Sequence, residues 1–166
     1  MDEQGDDAFS PARRATEPAA VAYINPVTGL ATDYLNHFNE AIMLLEMLPA
    51  CPDCRDVLRA WAPMSYCEHF RQSGFTERNR AIAAYESADP ITRDTLEILT
   101  ETMITLVEHA RKEIEAEPNA RISAGIAERA AGWLRLLAAQ ASAVINGQRV
   151  HGSDRTPQSA VDRMIG

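Results

Sequence analysis

The cysteines are the residues of this sequence whose type and spacing could support chemistry. Cys51, Cys54 and Cys67 are the only three, and His69, one of four histidines, follows the last of them closely. Zinc prefers four thiolate or imidazole ligands in a tetrahedron. The first interpretation is therefore a metal site for zinc or iron. If a helix begins at Ser65, however, Cys67 and His69 lie two apart on it and point to different sides, which places His69 in doubt as a ligand.

A second interpretation is thiol–disulfide chemistry by Cys51-Pro52-Asp53-Cys54. We predict Cys51 as the N-cap of a short helix and Pro52 as its first residue. The Cys51 sulfur would then lie near unpaired backbone amides, which lower a thiol's pKa and favour the nucleophilic thiolate. The third interpretation is core packing, because free cysteine is among the most often buried residue types. This third interpretation is favoured, and metal-binding or thiol-redox function remains the alternative.

No other motif in the chain indicates catalysis or a cofactor. The sequence contains no phosphate-binding glycine loop, no GxSxG and no HExxH. We therefore expect no catalytic residue and no cofactor other than a metal at the cysteines. The acidic balance, 24 acidic against 16 basic residues, argues against nucleic acid as a partner.

Methionines indicate a surface that could bind a protein partner. Met43 and Met47 stand one helical turn apart on a helix that is apolar on more than one side. Methionine side chains repack readily around different partners. A short C-terminal segment that carries Val161, Met164 and Ile165 on one side is the second candidate docking element.

The elements that must position these residues are all predicted to be helices, because apolar residues recur every three or four positions and no alternating pattern occurs. We predict an all-α, compact helical bundle. Two long antiparallel helices, about 90–116 and 120–146, pack with a third, central helix from Thr32 to Pro49 and with several short helices. Thr32, Ser65 with Glu68, Thr76 and Asp89-Pro90 are the predicted helix starts.

The predicted inward faces follow from the same periodicity. In the short helix after Pro52 the inward residues are predicted to be Val57, Leu58 and Trp61. The last long helix is expected to bury Ile122, Ile126, Ala130, Trp133, Leu137, Ala141 and Val144.

The chain divides into one domain with two tails. Residues 1–18 are predicted to be an acidic disordered tail, 19–147 a single helical domain, and 148–166 a linker followed by a short amphipathic helix. No apolar run is long enough to span a bilayer, and the N-terminus does not resemble a secretory signal, so we expect a cytoplasmic protein that does not bind membranes. The sequence predicts a non-catalytic interaction protein (an adaptor, a regulator or a small subunit) that binds a protein partner or forms a homo-oligomer.

Overall fold

The computed structural model describes residues 23–148, and the regular elements of this part of the chain are all helices. A 3-10 turn, Thr32–Leu35, leads into α1, Asn36–Met47. The short helices α2, α3 and α4 follow at Cys54–Ala60, Tyr66–Gln72 and Arg78–Glu86, and the long helices α5 and α6 span Pro90–Ala116 and Ala120–Ile145. The predicted all-α fold is confirmed. The predicted tails, 1–18 and 148–166, lie outside the described residues except for Gln148, and so do Val161, Met164 and Ile165.

The core lies where α6 packs between α5 and α1. Residues 117–119 join α5 to α6, and so short a connection suits the antiparallel arrangement expected of them. The 3-10 turn and α2 pack on α1, while α3 packs on α4. Side chains with almost no exposure fill the centre, the largest of which are Phe38, Phe70, Leu30, Leu45, Leu58, Leu96, Met103, Ile114, Leu134 and Ile145.

Two of the predicted helix starts are confirmed. The hydroxyl oxygen of Ser65 accepts from the Glu68 amide, and the Glu68 carboxylate accepts from the Ser65 amide, which together form a capping box. The Asp89 carboxylate accepts from the Thr92 amide at 2.9 Å, with Pro90 as the first residue of α5. In both cases a side chain satisfies backbone donors that the helix itself leaves unpaired.

The other predicted helix starts are wrong. Thr32 begins a 3-10 turn and caps nothing with its side chain, and α4 begins after Glu77 without a side-chain cap from Thr76. The helix predicted to start at Pro52 begins at Cys54, because the preceding residues form i to i+3 turns instead.

The predicted inward faces are wrong at three positions. Val57, Ile122 and Trp133 are 51%, 51% and 62% exposed. The buried side of α6 instead carries Ser123, Ala127, Ala130, Ala131, Leu134, Ala141, Val144 and Ile145. Four alanines on that side let α1 and α5 approach α6 closely, and the bulky side chains are left on the outside.

A turn near the start of the described chain connects it to the end of α6. The Asn25 side chain accepts from the amides of Val27 and Thr28, and Gly29 adopts a positive φ of 73°. The Thr28 hydroxyl donates to the Ile145 carbonyl at 2.5 Å. Within residues 23–148, no helix combines the length and the apolar character that crossing a membrane requires.

Candidate functional site

The structure separates the predicted metal ligands. Cys51 lies in the turn before α2, Cys54 is the first residue of α2, and Cys67 lies in α3. All three are free thiols, of which Cys54 is buried and the other two are half-buried. Among residues 23–148 no three histidine, cysteine, aspartate or glutamate side chains converge well enough to hold a metal. The four predicted ligands, Cys51, Cys54, Cys67 and His69, are therefore not assembled into one site.

Cys51 and Cys54 do lie against each other. A hydrogen bond with Cys51 and burial both raise the pKa of the Cys54 thiol. Cys51 is not the N-cap of α2, since Asp53 holds that position, so the expected arrangement of its sulfur at the helix end is wrong. Burial raises the pKa of the Cys67 thiol as well. The thiol chemistry that this geometry allows is disulfide formation within the Cys51–Cys54 pair.

His69 belongs to a different cluster, which it forms with His37 between α1 and α3. The His37 ring stacks on Trp61 with centroids 4.6 Å apart, and His69 meets Tyr34 edge-on at 5.7 Å. The Nε2 atoms of both histidines are buried and have no hydrogen-bond partner among residues 23–148. Burial lowers the pKa of both rings, and proximity to His37 lowers that of His69 further. Two imidazoles held neutral are too few ligands for a metal site but make this region sensitive to acid.

An exposed apolar stripe runs along α6. Ile122, Trp133 and Leu136 are each more than half exposed, and Ile126 and Leu137 beside them are partly buried. Next to this stripe, a groove of about 820 Å³ between α1 and α6 has a floor of small residues, Ala124, Gly125, Ala131 and Gly132. Sequence periodicity missed this surface because it placed Ile122 and Trp133 in the core.

The predicted partner-binding residues of α1 are exposed. Met43 and Met47 are 51% and 45% exposed and lie one turn apart. They are accessible to a partner, and their role in binding remains a prediction. Val161, Met164 and Ile165 are outside the described residues.

A cavity of about 370 Å³ lies between α3, α4 and α5. Three tyrosines, Tyr34, Tyr66 and Tyr85, line it together with three glutamates, Glu68, Glu97 and Glu101. These residues come from four separate elements, so no motif in the sequence could have grouped them.

Comparison with known proteins identifies no relative: no family model, no curated protein and no solved structure matches this chain.

Proposed function

We propose that this chain is a non-catalytic interaction protein whose binding surface is the exposed apolar stripe of α6, and that it binds a second copy of itself there. The observation that supports this proposal is the exposure of Ile122, Trp133 and Leu136 on one helix. Single exposed apolar side chains are ordinary, whereas several large ones on one helix face, here with Arg129 between Ile122 and Trp133, indicate an interaction surface.

The spacing along α6 favours a second copy as the partner. A twofold axis makes each surface its own complement. If two α6 helices cross antiparallel with the axis at Arg129, then Ile122 of one copy lies opposite Leu136 of the other, because both are seven residues from the axis. The two exposed Arg129 side chains repel each other and must therefore extend away from the axis. Trp133 then lies opposite Gly125, four residues to the other side. The nearest atom to a Cβ added at Gly125 would be Nη1 of Arg129, at 3.8 Å, so the indole of the second copy would meet the Arg129 guanidinium there and could form a cation–π contact with it.

The free energy gained by burying apolar side chains sets the expected strength of this dimer. Burying the exposed part of each large side chain contributes on the order of 1 kcal/mol, and the twofold buries six of them. That sum is comparable to the entropic cost of association, roughly 4–15 kcal/mol. We therefore expect a reversible dimer whose population rises with concentration.

Sedimentation equilibrium of the full chain at concentrations up to about 0.5 mM tests this proposal. We expect a monomer–dimer equilibrium that Trp133→Glu weakens at least tenfold. Ile91→Glu is the matched control, since Ile91 is 76% exposed near the start of α5, away from the stripe. A wild-type chain that stays monomeric over the whole range, or equal weakening by the two variants, would contradict the proposal.

The second candidate function is thiol-redox activity of Cys51 and Cys54, favoured by their separation of three residues and by the influence of Cys51 on the Cys54 thiol, whose pKa it raises. A low-molecular-weight disulfide such as oxidised glutathione would accept two electrons and two protons from the pair and leave as two thiols. Titration of the full chain with glutathione buffers, followed by alkylation and mass measurement, tests this function. A Cys51–Cys54 disulfide that forms at cytosolic potentials supports it, and a pair that stays reduced under oxidising buffers rules it out.

A further inference from the structure

We propose that the cavity between α3, α4 and α5 binds an organic cation, namely a primary ammonium or guanidinium group carried on an apolar chain. This inference goes beyond the proposed dimer and uses none of the α6 residues. Its basis is that the carboxylates at the rim carry no proton, and that the hydroxyl protons of Tyr34, Thr100 and Tyr85 are already donated to other groups of the chain.

The bottom of the cavity carries two buried hydroxyl groups. Tyr34 and Thr100 are 2% and 5% exposed, and both line the cavity. The Tyr34 hydroxyl donates its only proton to the Met64 carbonyl at 2.8 Å, and the Thr100 hydroxyl donates to the Glu97 carbonyl at 3.0 Å. Carbonyl oxygens cannot donate, so the direction of both bonds is unambiguous. Each hydroxyl oxygen can therefore offer a ligand only its lone pairs, and the Tyr34 and Thr100 hydroxyls also lie within hydrogen-bonding reach of each other.

The proton of Tyr34 stays in place at physiological pH. Burial raises the pKa of Tyr34 to about 12, with nearby Thr100 opposing this shift. The hydroxyl therefore cannot become a phenolate that would attract a metal. A ligand N–H group is the chemical partner that such a neutral acceptor fits.

The rim of the cavity is negatively charged. Glu68, Glu97 and Glu101 are exposed on its lining, which contains no lysine or arginine. None of these carboxylates forms an ion pair with a residue in the described part of the chain. The Glu68 carboxylate accepts from the Ser65 amide, and that of Glu97 accepts from the Tyr85 hydroxyl. Arg93, outside the lining, lies 5.9 Å from the centre of the Tyr85 ring.

Aromatic and apolar side chains form the walls of the cavity. Tyr66 stacks on Tyr85 with ring centroids 4.4 Å apart, and Tyr34 meets Tyr66 edge-on at 5.3 Å. Leu96 and Ile104 offer apolar contact to a hydrocarbon chain. Proteins commonly bind ligands in cavities of about 300–1,000 Å³, and this one is at the small end of that range. Its size therefore suits a single side-chain-sized cation.

Isothermal titration of the full chain with matched small molecules tests the proposal. The probes are agmatine and putrescine, with 1,4-butanediol as the uncharged counterpart of putrescine. An arginine tripeptide blocked at both ends distinguishes a free amine from a side chain on a partner protein. We expect the cations to bind and the diol to bind at least tenfold more weakly. If the tripeptide binds and the free amines do not, the cation site is supported with a partner's side chain as its source.

Variants on α5 locate the binding. Glu101→Gln and Glu97→Gln each remove one rim charge and keep a good helix former, and we expect each to weaken the cation about fivefold. Glu108→Gln removes the same charge from an exposed position on α5 outside the cavity, so it controls for net charge. No cation binding below about 10 mM, equal binding of the diol, or equal effects of Glu101→Gln and Glu108→Gln would each overturn the proposal.

Discussion

His37 and His69 show how single residues acquire properties that their types do not specify. Each ring is half-buried against an aromatic neighbour, and each carries a buried Nε2 atom without a partner among the described residues. In water an imidazole takes up a proton near pH 6.5, but burial lowers the pKa of both rings here. Nearby Asp33 and Glu40 oppose the shift without reversing it.

The histidine pair predicts a loss of stability in mild acid. Because the folded-state pKa values lie below those of the unfolded chain, the unfolded chain binds more protons as the pH falls. The stabilising contribution is complete above the unfolded pKa of 6.5 and is lost as the pH falls towards the folded values. The urea midpoint of unfolding should therefore be lower at about pH 5 than at about pH 7.

Variants assign this pH dependence to the pair. His69→Phe keeps a ring against Tyr34 and should flatten the difference between the two midpoints. His109→Gln is the control, because the His109 side chain is 67% exposed, and it should leave the difference unchanged. An undiminished difference in His69→Phe would show that another group carries the pH dependence.

At the scale of one element, α6 carries two apolar stripes and buries only one. The buried stripe consists of four alanines with Ser123, Leu134, Val144 and Ile145, while the exposed stripe carries Ile122, Trp133 and Leu136. The helix is flanked by α1 and α5, and close approach on both sides requires small residues. The tryptophan is therefore on the surface although its size and apolar character suit a core.

Truncation of two adjacent residues of α6 is expected to lower the free energy of unfolding by very different amounts. Leu134 is 0% exposed, so Leu134→Ala should lower the free energy of unfolding by about 2–5 kcal/mol through lost contacts and a cavity. Trp133 is 62% exposed, so Trp133→Ala should change it by no more than about 1 kcal/mol. Urea denaturation at low micromolar concentration, where the proposed dimer is dissociated, gives both values. A larger loss from Trp133→Ala would place the indole in the core, as the periodicity first indicated.

At the scale of the whole molecule, a tight turn joins the first and last parts of the described chain. The Thr28 hydroxyl donates to Ile145 at the end of α6, and Gly29 lies against α4. A Cβ on Gly29 would lie 3.0 Å from the Ala84 carbonyl oxygen. This one turn therefore contacts two helices that are distant in sequence.

Substitution of Gly29 should destabilise the entire fold. Its φ of 73° is costly for any residue with a side chain, by about 1–2 kcal/mol, and the contact with Ala84 adds to that cost. Gly29→Ala should therefore lower the midpoint of thermal unfolding by several degrees, at roughly 2–4 °C per kcal/mol for a chain of this length. Gly74→Ala is the matched control, because a Cβ there meets nothing within 4 Å and should cause little change. Equal midpoints for the two variants would show that the turn does not hold the bundle together.

Local signals in the sequence were sufficient to predict the fold class and the strongest helix starts. Residues three or four apart share a helix face, and Ser65 with Glu68 or Asp89 with Pro90 act within a few residues of one another. Such short-range relations can be recognised from the order of the residues alone. The short 3-10 turn at Thr32 and the start of α2 depend on packing and were predicted incorrectly.

The sites depend on contacts between distant segments, and no spacing rule encodes those contacts. The cavity brings Tyr34, Tyr85 and Glu97 together from three elements, and His69 lies beside His37 rather than with the cysteines. Trp133 is exposed because α1 and α5 together select the alanine side of α6. The sequence by itself therefore specified helices and an all-α fold. The choice of buried face, and with it the sites, followed from packing, because burial is a property of several helices at once.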